Sequence, residues 1–147
     1  MGWQHDRGLP VKIVMAFTLA LVASRAAAAI ADPTATALAR CLDDPVNAST
    51  AGQTECEATA TEAYDARMNR AFAALTKRLP VAAVRQLREA QHAWLAFRDA
   101  EGRARIALYA TRQGTMYVPM EAASETAVTR DRALELETYV RVMAIEA

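Results

Sequence analysis

From Thr50 to Leu79, small or apolar residues recur at three- and four-residue steps: Cys56, Ala60, Tyr64, Met68, Phe72, Leu75 and Leu79. That period sets them along one face of a helix. Thr50 and Gln53 have the spacing of a capping box, and Pro80 closes the run. A second helical run extends from Val81 to about Thr111, with Val84, Leu87, Trp94, Phe97, Ile106 and Leu108 as its apolar positions. Gly102 interrupts this run and predicts a kink or a close approach. Near-equal helices joined by Leu79-Pro80-Val81 predict an antiparallel hairpin. Gln113 to Pro119, with Gly114 and Tyr117, reads as a loop. A third helix is expected from about Met120 to Met143, with Ala123, Ala127, Leu134 and Val140 or Met143 inward. Asp43-Asp44-Pro45 and Asn47-Ala48-Ser49 read as turn and loop.

The first 31 residues have a different pattern. Arg7 and Lys12 precede an apolar run from Ile13 to Ala23, too short to span a bilayer. Small residues follow, and Ala29-Ile30-Ala31 fits a cleavage site ahead of Asp32. Residues 1–31 therefore predict a signal peptide, cut after Ala31 or Ala29, and residues 32–147 a single exported domain. An N-terminal anchor left in place is the other reading. Contact with a membrane is expected only through this segment before cleavage, and the location is periplasmic or secreted.

Composition changes the picture at two points. Without residues 1–31 the chain keeps 14 basic and 16 acidic side chains, a balance of −2 that excludes a dominant nucleic-acid or anionic-membrane footprint. Both cysteines, Cys41 and Cys56, survive cleavage. In an oxidising compartment two cysteines are most simply one disulfide. A metal site or a redox pair is the alternative, but no histidine is near and the spacing is not C-x-x-C. The predicted fold is all-α: a long antiparallel hairpin, a third C-terminal helix, and an N-terminal segment tied by one disulfide.

Candidate chemistry is sparse. His92 is the one histidine after residue 31, so a multi-histidine metal centre and a supported histidine dyad are both excluded. No nucleophile elbow, P-loop or dinucleotide-binding glycine pattern occurs. No cofactor, metal or catalytic residue is assigned, and the chain is read as a non-enzyme. The most distinctive stretch is Gln91 to Asp99, where Gln91, Trp94 and Arg98 share a stripe. Burying Arg98 beside Trp94 is costly unless a carboxylate meets it. Asp65 on the first helix is the preferred partner, with Asn69 one turn on. The alternative for both is a solvated flank. Asp99 adjoins Arg98, and Thr129 and Arg132 share a face of the third helix that would join the same polar core.

The Thr54-Glu55-Cys56 segment, the Tyr64-Asp65-Ala-Arg-Met68-Asn69-Arg-Ala-Phe72 run, Ala90-Gln91-x-x-Trp94-x-x-Phe97-Arg98-Asp99 and Thr129-Arg-x-Arg132 occur in this order. With Cys41 and the signal peptide, they resemble the LprI-like lysozyme-inhibitor domain of bacterial envelope proteins, from Cys41 to about Tyr139. The resemblance implies a small helical domain at the cell surface or in the periplasm. For the name-giving member it also implies inhibition of lysozyme. The family usually carries a second cysteine pair, where this chain has Gly102 and Ser124. The second and third helices are then expected to be held by packing alone.

Two function classes follow. One is a binding protein that blocks a lysozyme through a protein–protein contact; the other is a structural or interaction module of the envelope with a different protein partner. Lysozymes are strongly basic, so an inhibitor should offer acidic groups. Glu121 and Glu125 lie one turn apart beside the Gln113–Pro119 loop, and with Arg112 and Tyr117 they form the candidate contact surface.

Overall fold

The computed structural model describes residues 32–145. The predicted signal peptide, residues 1–31, lies outside the described residues. Four α-helices account for most of the rest: α1 (Pro33–Asp43), α2 (Thr50–Arg78), α3 (Val81–Ala110) and α4 (Tyr117–Val142). A single 3-10 turn, Pro45–Asn47, links α1 to α2. The all-helical expectation therefore holds, as does the bond between Cys41 and Cys56.

Helix α1 was not foreseen. Its start is a strong local signal: Asp32 caps it, accepting the Thr34 and Ala35 amides, and Pro33 occupies the first helical position. Helix α2 begins where expected, but the cap is Ser49, whose hydroxyl accepts the Gly52 amide at 3.0 Å. Gly52 is required there for a different reason. A Cβ on it would lie 2.7 Å from the Asn47 Cα, so only glycine lets the 3-10 turn cross the helix this closely.

The α3–α4 connection is shorter than the expected Gln113–Pro119 loop. Helix α4 already starts at Tyr117, which puts Pro119 in its first turn. Amides of a first turn have no intrahelical partner, so a proline there removes nothing. Gly114, at φ +110°, is the one residue in the left-handed region among the described residues, and it turns the chain.

Packing departs from the sequence expectation in one respect. Helices α2 and α3 do form an antiparallel hairpin, but the most intimate pair is α2 with α4. These two run parallel: Thr61 meets Thr126 and Arg67 meets Glu137, at sequence offsets of 65 and 70. Small residues line the seam, with Ala60, Ala71, Thr126, Thr129 and Ala133 all buried, so the backbones approach closely. Tyr64, Met68, Ala71, Leu75, Ala133 and Leu136 form the core, and Phe72, Leu79, Leu87, Trp94 and Val140 cover it. The largest of these contribute on the order of 2 to 3 kcal/mol each.

The apolar face expected for α4 is rotated. Its fully buried positions are Thr126, Thr129, Arg132, Ala133 and Leu136, while Ala123, Ala127, Leu134 and Val140 are half-buried and Met143 is exposed. Three of these five buried residues are polar, so the apolar pattern alone misplaced the face. On α3, Gln91 is the only buried residue. Phe97, Ile106 and Leu108, expected inward, are each more than half exposed. Phe97 and Ile106 are nine residues apart, which at about 100° per residue sets them on opposite sides of the helix. One core cannot cover both.

Candidate functional site

Arg67 ties three helices together. Its Nε and Nη2 each donate to one Glu137 carboxylate oxygen at 2.8 Å, a bidentate link from α2 to α4. Its Nη1 donates to Asp32 Oδ1 and, at 3.1 Å, to Thr34 Oγ1, fastening the start of α1. Tyr64 donates its hydroxyl to the other Asp32 oxygen at 2.8 Å, and the Arg67 guanidinium lies 5.1 Å from the Tyr64 ring centre. Burial raises the Asp32 carboxyl, but hydrogen bonds from Tyr64 and Arg67 outweigh it and hold its pKa below the ordinary value. Arg67 likewise holds Glu137 below its ordinary range. Burial and the Asp32 charge push the Tyr64 hydroxyl up to about 12. Arg67 and Glu137 carried no assignment from the sequence. Their partners are too distant along the chain for spacing to reveal, and only the Asp32-Pro33 cap was a readable local signal.

A second cluster joins α3 to α4. Arg132, buried, donates from Nε to Gln91 Oε1 at 3.0 Å and from Nη1 to Glu135 Oε2 at 2.6 Å. Its Nη2 is buried without a partner. Gln91 completes its amide against Met68 Sδ at 3.5 Å. Trp94 lies under two guanidinium groups, Arg98 at 5.4 Å and Arg132 at 5.9 Å from the ring centre. The structure thus brings Gln91, Trp94 and Arg132 together.

Arg98 stands apart from that cluster. Its side chain is 33% exposed, its nearest Asp65 oxygen is at 3.9 Å, and Asp99 is at 3.5 Å. The cation buried beside Trp94 is Arg132; Arg98 is only half-buried. Asp65 also accepts from the exposed Asn69 at 2.8 Å. Asp65, Asn69, Arg98, Glu125 and the buried Thr129 line one shallow groove between α2, α3 and α4. Asp99 is exposed outside it.

The α3–α4 connection carries the other sequence-derived candidates. Tyr109 closes it, its hydroxyl 3.3 Å from the Met120 carbonyl and 3.2 Å from Ser124 Oγ. That bond connects α3 to α4 at Ser124. Arg112 and Glu125 are exposed, whereas Tyr117 and Glu121 are half-buried. Leu108, Met116, Val118 and Met120, which the sequence reading did not assign to a site, are 46% to 62% exposed around them. Among the described residues no three histidine, cysteine or acidic side chains gather as a metal site, and no helix is long and apolar enough to cross a membrane.

Comparison with known proteins gives these features a context. A crystal structure of an uncharacterized protein from Burkholderia thailandensis is 35% identical, with a TM-score of 0.74 over 79% of this chain and 57% of that one. The chain thus spans little more than half the length of that protein. No curated protein matches. The family model described as "Lysozyme inhibitor LprI" matches residues 41–136, a span that takes in the disulfide, both arginine clusters except Asp32, Thr34 and Glu137, and the α3–α4 connection. By that match the chain is a member of the LprI lysozyme inhibitor family.

Proposed function

We propose that this chain is exported, with residues 1–31 removed as a signal peptide, and that it inhibits a lysozyme by a protein–protein contact at the α3–α4 end. The carrying observation is the pair Met116 and Met120, exposed one turn apart and lining one groove at the start of α4, with Glu121 and Glu125 on the same helix. An exposed apolar patch rimmed by charge is the usual character of a contact surface. The two glutamates suit a basic partner, with Arg112 and the half-buried Tyr117 at the rim. The polar clusters around Arg67 and Arg132 act as structure on this reading, because their charged groups are paired inside the fold.

The test is a bacterial-cell lysis assay with lysozyme and the purified protein, compared with a Met116→Ser, Val118→Ser, Glu121→Ala, Glu125→Ala variant checked for helicity by circular dichroism. Inhibition should fall by at least about tenfold in the variant, roughly 1.4 kcal/mol of affinity, and should weaken with salt in the parent. Unchanged inhibition by the folded variant would remove this surface. Absence of inhibition by the parent would favour an envelope interaction module, for which a pull-down from envelope extract is the next step.

A further inference from the structure

We infer that the groove between the 3-10 turn, the start of α2 and the start of α4 receives one lysine or arginine side chain of a protein partner, with the Glu57 carboxylate as its counter-ion. The groove measures about 540 Å³ and is lined by Leu42, Gln53, Glu57, Met116 and Met120, among others. Glu57 is only 7% exposed. Its backbone carbonyl accepts from the Thr126 hydroxyl at 3.2 Å, yet its carboxylate has no ion pair or hydrogen bond among the described residues. The half-buried carboxylates of Asp32 and Glu137 are both matched by Arg67.

The Glu57 side chain is packed along its length while its carboxylate stays open to the groove, so a cation entering there can reach a charge that no group among the described residues neutralises. Among the described residues no lysine or arginine lines the groove. Its walls have the complementary character for such a side chain. Leu42, Met116 and Met120 offer apolar surface to the methylene stem, and methionines adapt to its shape. Gln53 stands one turn before Glu57 on the same face of α2 and can accept a further N–H. Glu57 is the eighth residue of α2, beyond the first turn where the positive end of the helix would repel a cation. This inference rests on the reading that the α3–α4 end meets a basic protein, because Met116 and Met120 belong to both surfaces. It adds which part of that partner is recognised.

The experiment uses the purified, oxidised protein labelled with 15N and two small probes, Nα-acetyl-lysine methylamide and its neutral counterpart Nα-acetyl-norleucine methylamide. The lysine probe should shift the amide signals of Gln53, Glu57 and Met120 saturably, about tenfold more tightly than the norleucine probe, as one charge-assisted hydrogen bond allows. Glu57→Gln should bring the lysine probe down to the norleucine level while melting at the parent temperature. Equal binding of the two probes would reduce the groove to an apolar crevice and overturn the assignment. So would an absence of saturable shifts, or full lysine binding by Glu57→Gln. A parent that fails to inhibit lysozyme but passes the probe test refutes the functional reading and leaves the cation groove standing; inhibition without lysine-probe binding does the reverse.

Discussion

Replacing Arg67 by Met keeps much of the aliphatic contact while removing the charge, so it isolates the clasp between α1, α2 and α4. The variant loses two short bonds to Glu137, the bond to Asp32 and the weaker one to Thr34. It also strands two carboxylates whose side chains are 20% and 26% exposed. Breaking a fully buried pair costs about 3 to 5 kcal/mol. Residual exposure lets water recover part of that, which brings the expectation to about 2 to 3 kcal/mol. For a domain of this size each kcal/mol moves the midpoint by about 4 °C, so the variant should melt about 8 to 12 °C lower at pH 7. The pH dependence has a definite sign. Asp32 and Glu137 have folded pKa values below their unfolded ones, so their stabilisation is present above the unfolded values near 4 and is lost as pH falls through the folded ones. Arg67 is shifted upward, which matters only at pH values far above the working range. The gap between parent and variant should therefore narrow below about pH 4. Thermal melts followed by circular dichroism across pH 2.5 to about 7 would measure it. A variant melting within about 2 °C of the parent at pH 7, or a gap that does not narrow in acid, would refute the reasoning.

Reduction of the Cys41–Cys56 bond, which closes a separation of 15 residues, should cost about 3 kcal/mol in the chain-entropy model; mass spectrometry of the non-reduced protein should find no free thiol. Gly52→Ala should destabilise by about 1 to 3 kcal/mol despite the better helix former, because its Cβ would meet Asn47 backbone atoms. Gly102→Ala should instead stabilise by about 0.5 to 1 kcal/mol, since a Cβ there meets only the Arg105 side chain at 3.8 Å; urea titrations of the two variants decide both signs. Arg98→Ala should cost no more than about 1 kcal/mol, in keeping with a long ion pair to a side chain 43% exposed, and a loss of several kcal/mol in the same titration would mean that Arg98 carries buried charge after all.

Much of the architecture was legible because it is written locally. Pro80 ends α2, and the three- and four-residue steps of α2 picked its buried side chains, with Cys56, Ala60, Tyr64, Met68 and Leu75 all inside. What escaped depends on partners far along the chain. Arg67 finds Glu137 at an offset of 70, which no periodicity announces. Arg98 and Arg132 both lie near Trp94, and only the packing of α4 decides which one is buried. Helix α1 was missed for another reason: Asp32-Pro33 sits directly after the predicted cleavage site and was read as its far side, although the pair is also a helix cap followed by a first-turn proline. At the α3–α4 connection the sequence pointed to Arg112, Tyr117, Glu121 and Glu125, of which Arg112 and Glu125 are exposed. Tyr117 and Glu121 are half-buried, and the exposed apolar residues near them in sequence are Leu108, Met116, Val118 and Met120.

The parallel pairing of α2 with α4 sets the order in which this domain must assemble. Its tightest seam joins segments 65 to 70 residues apart, whereas the sequence-adjacent helices α2 and α3 share only a thin contact. Closing so long a span costs chain entropy before any core contact offsets it, so the nucleus cannot be the hairpin alone. A chain that stops before Leu136 and Glu137 lacks both the last large core residue and the bidentate partner of Arg67. Such a fragment should remain collapsed and helical without a fixed interior, and cooperative folding should begin only once nearly the whole of α4 has joined the chain.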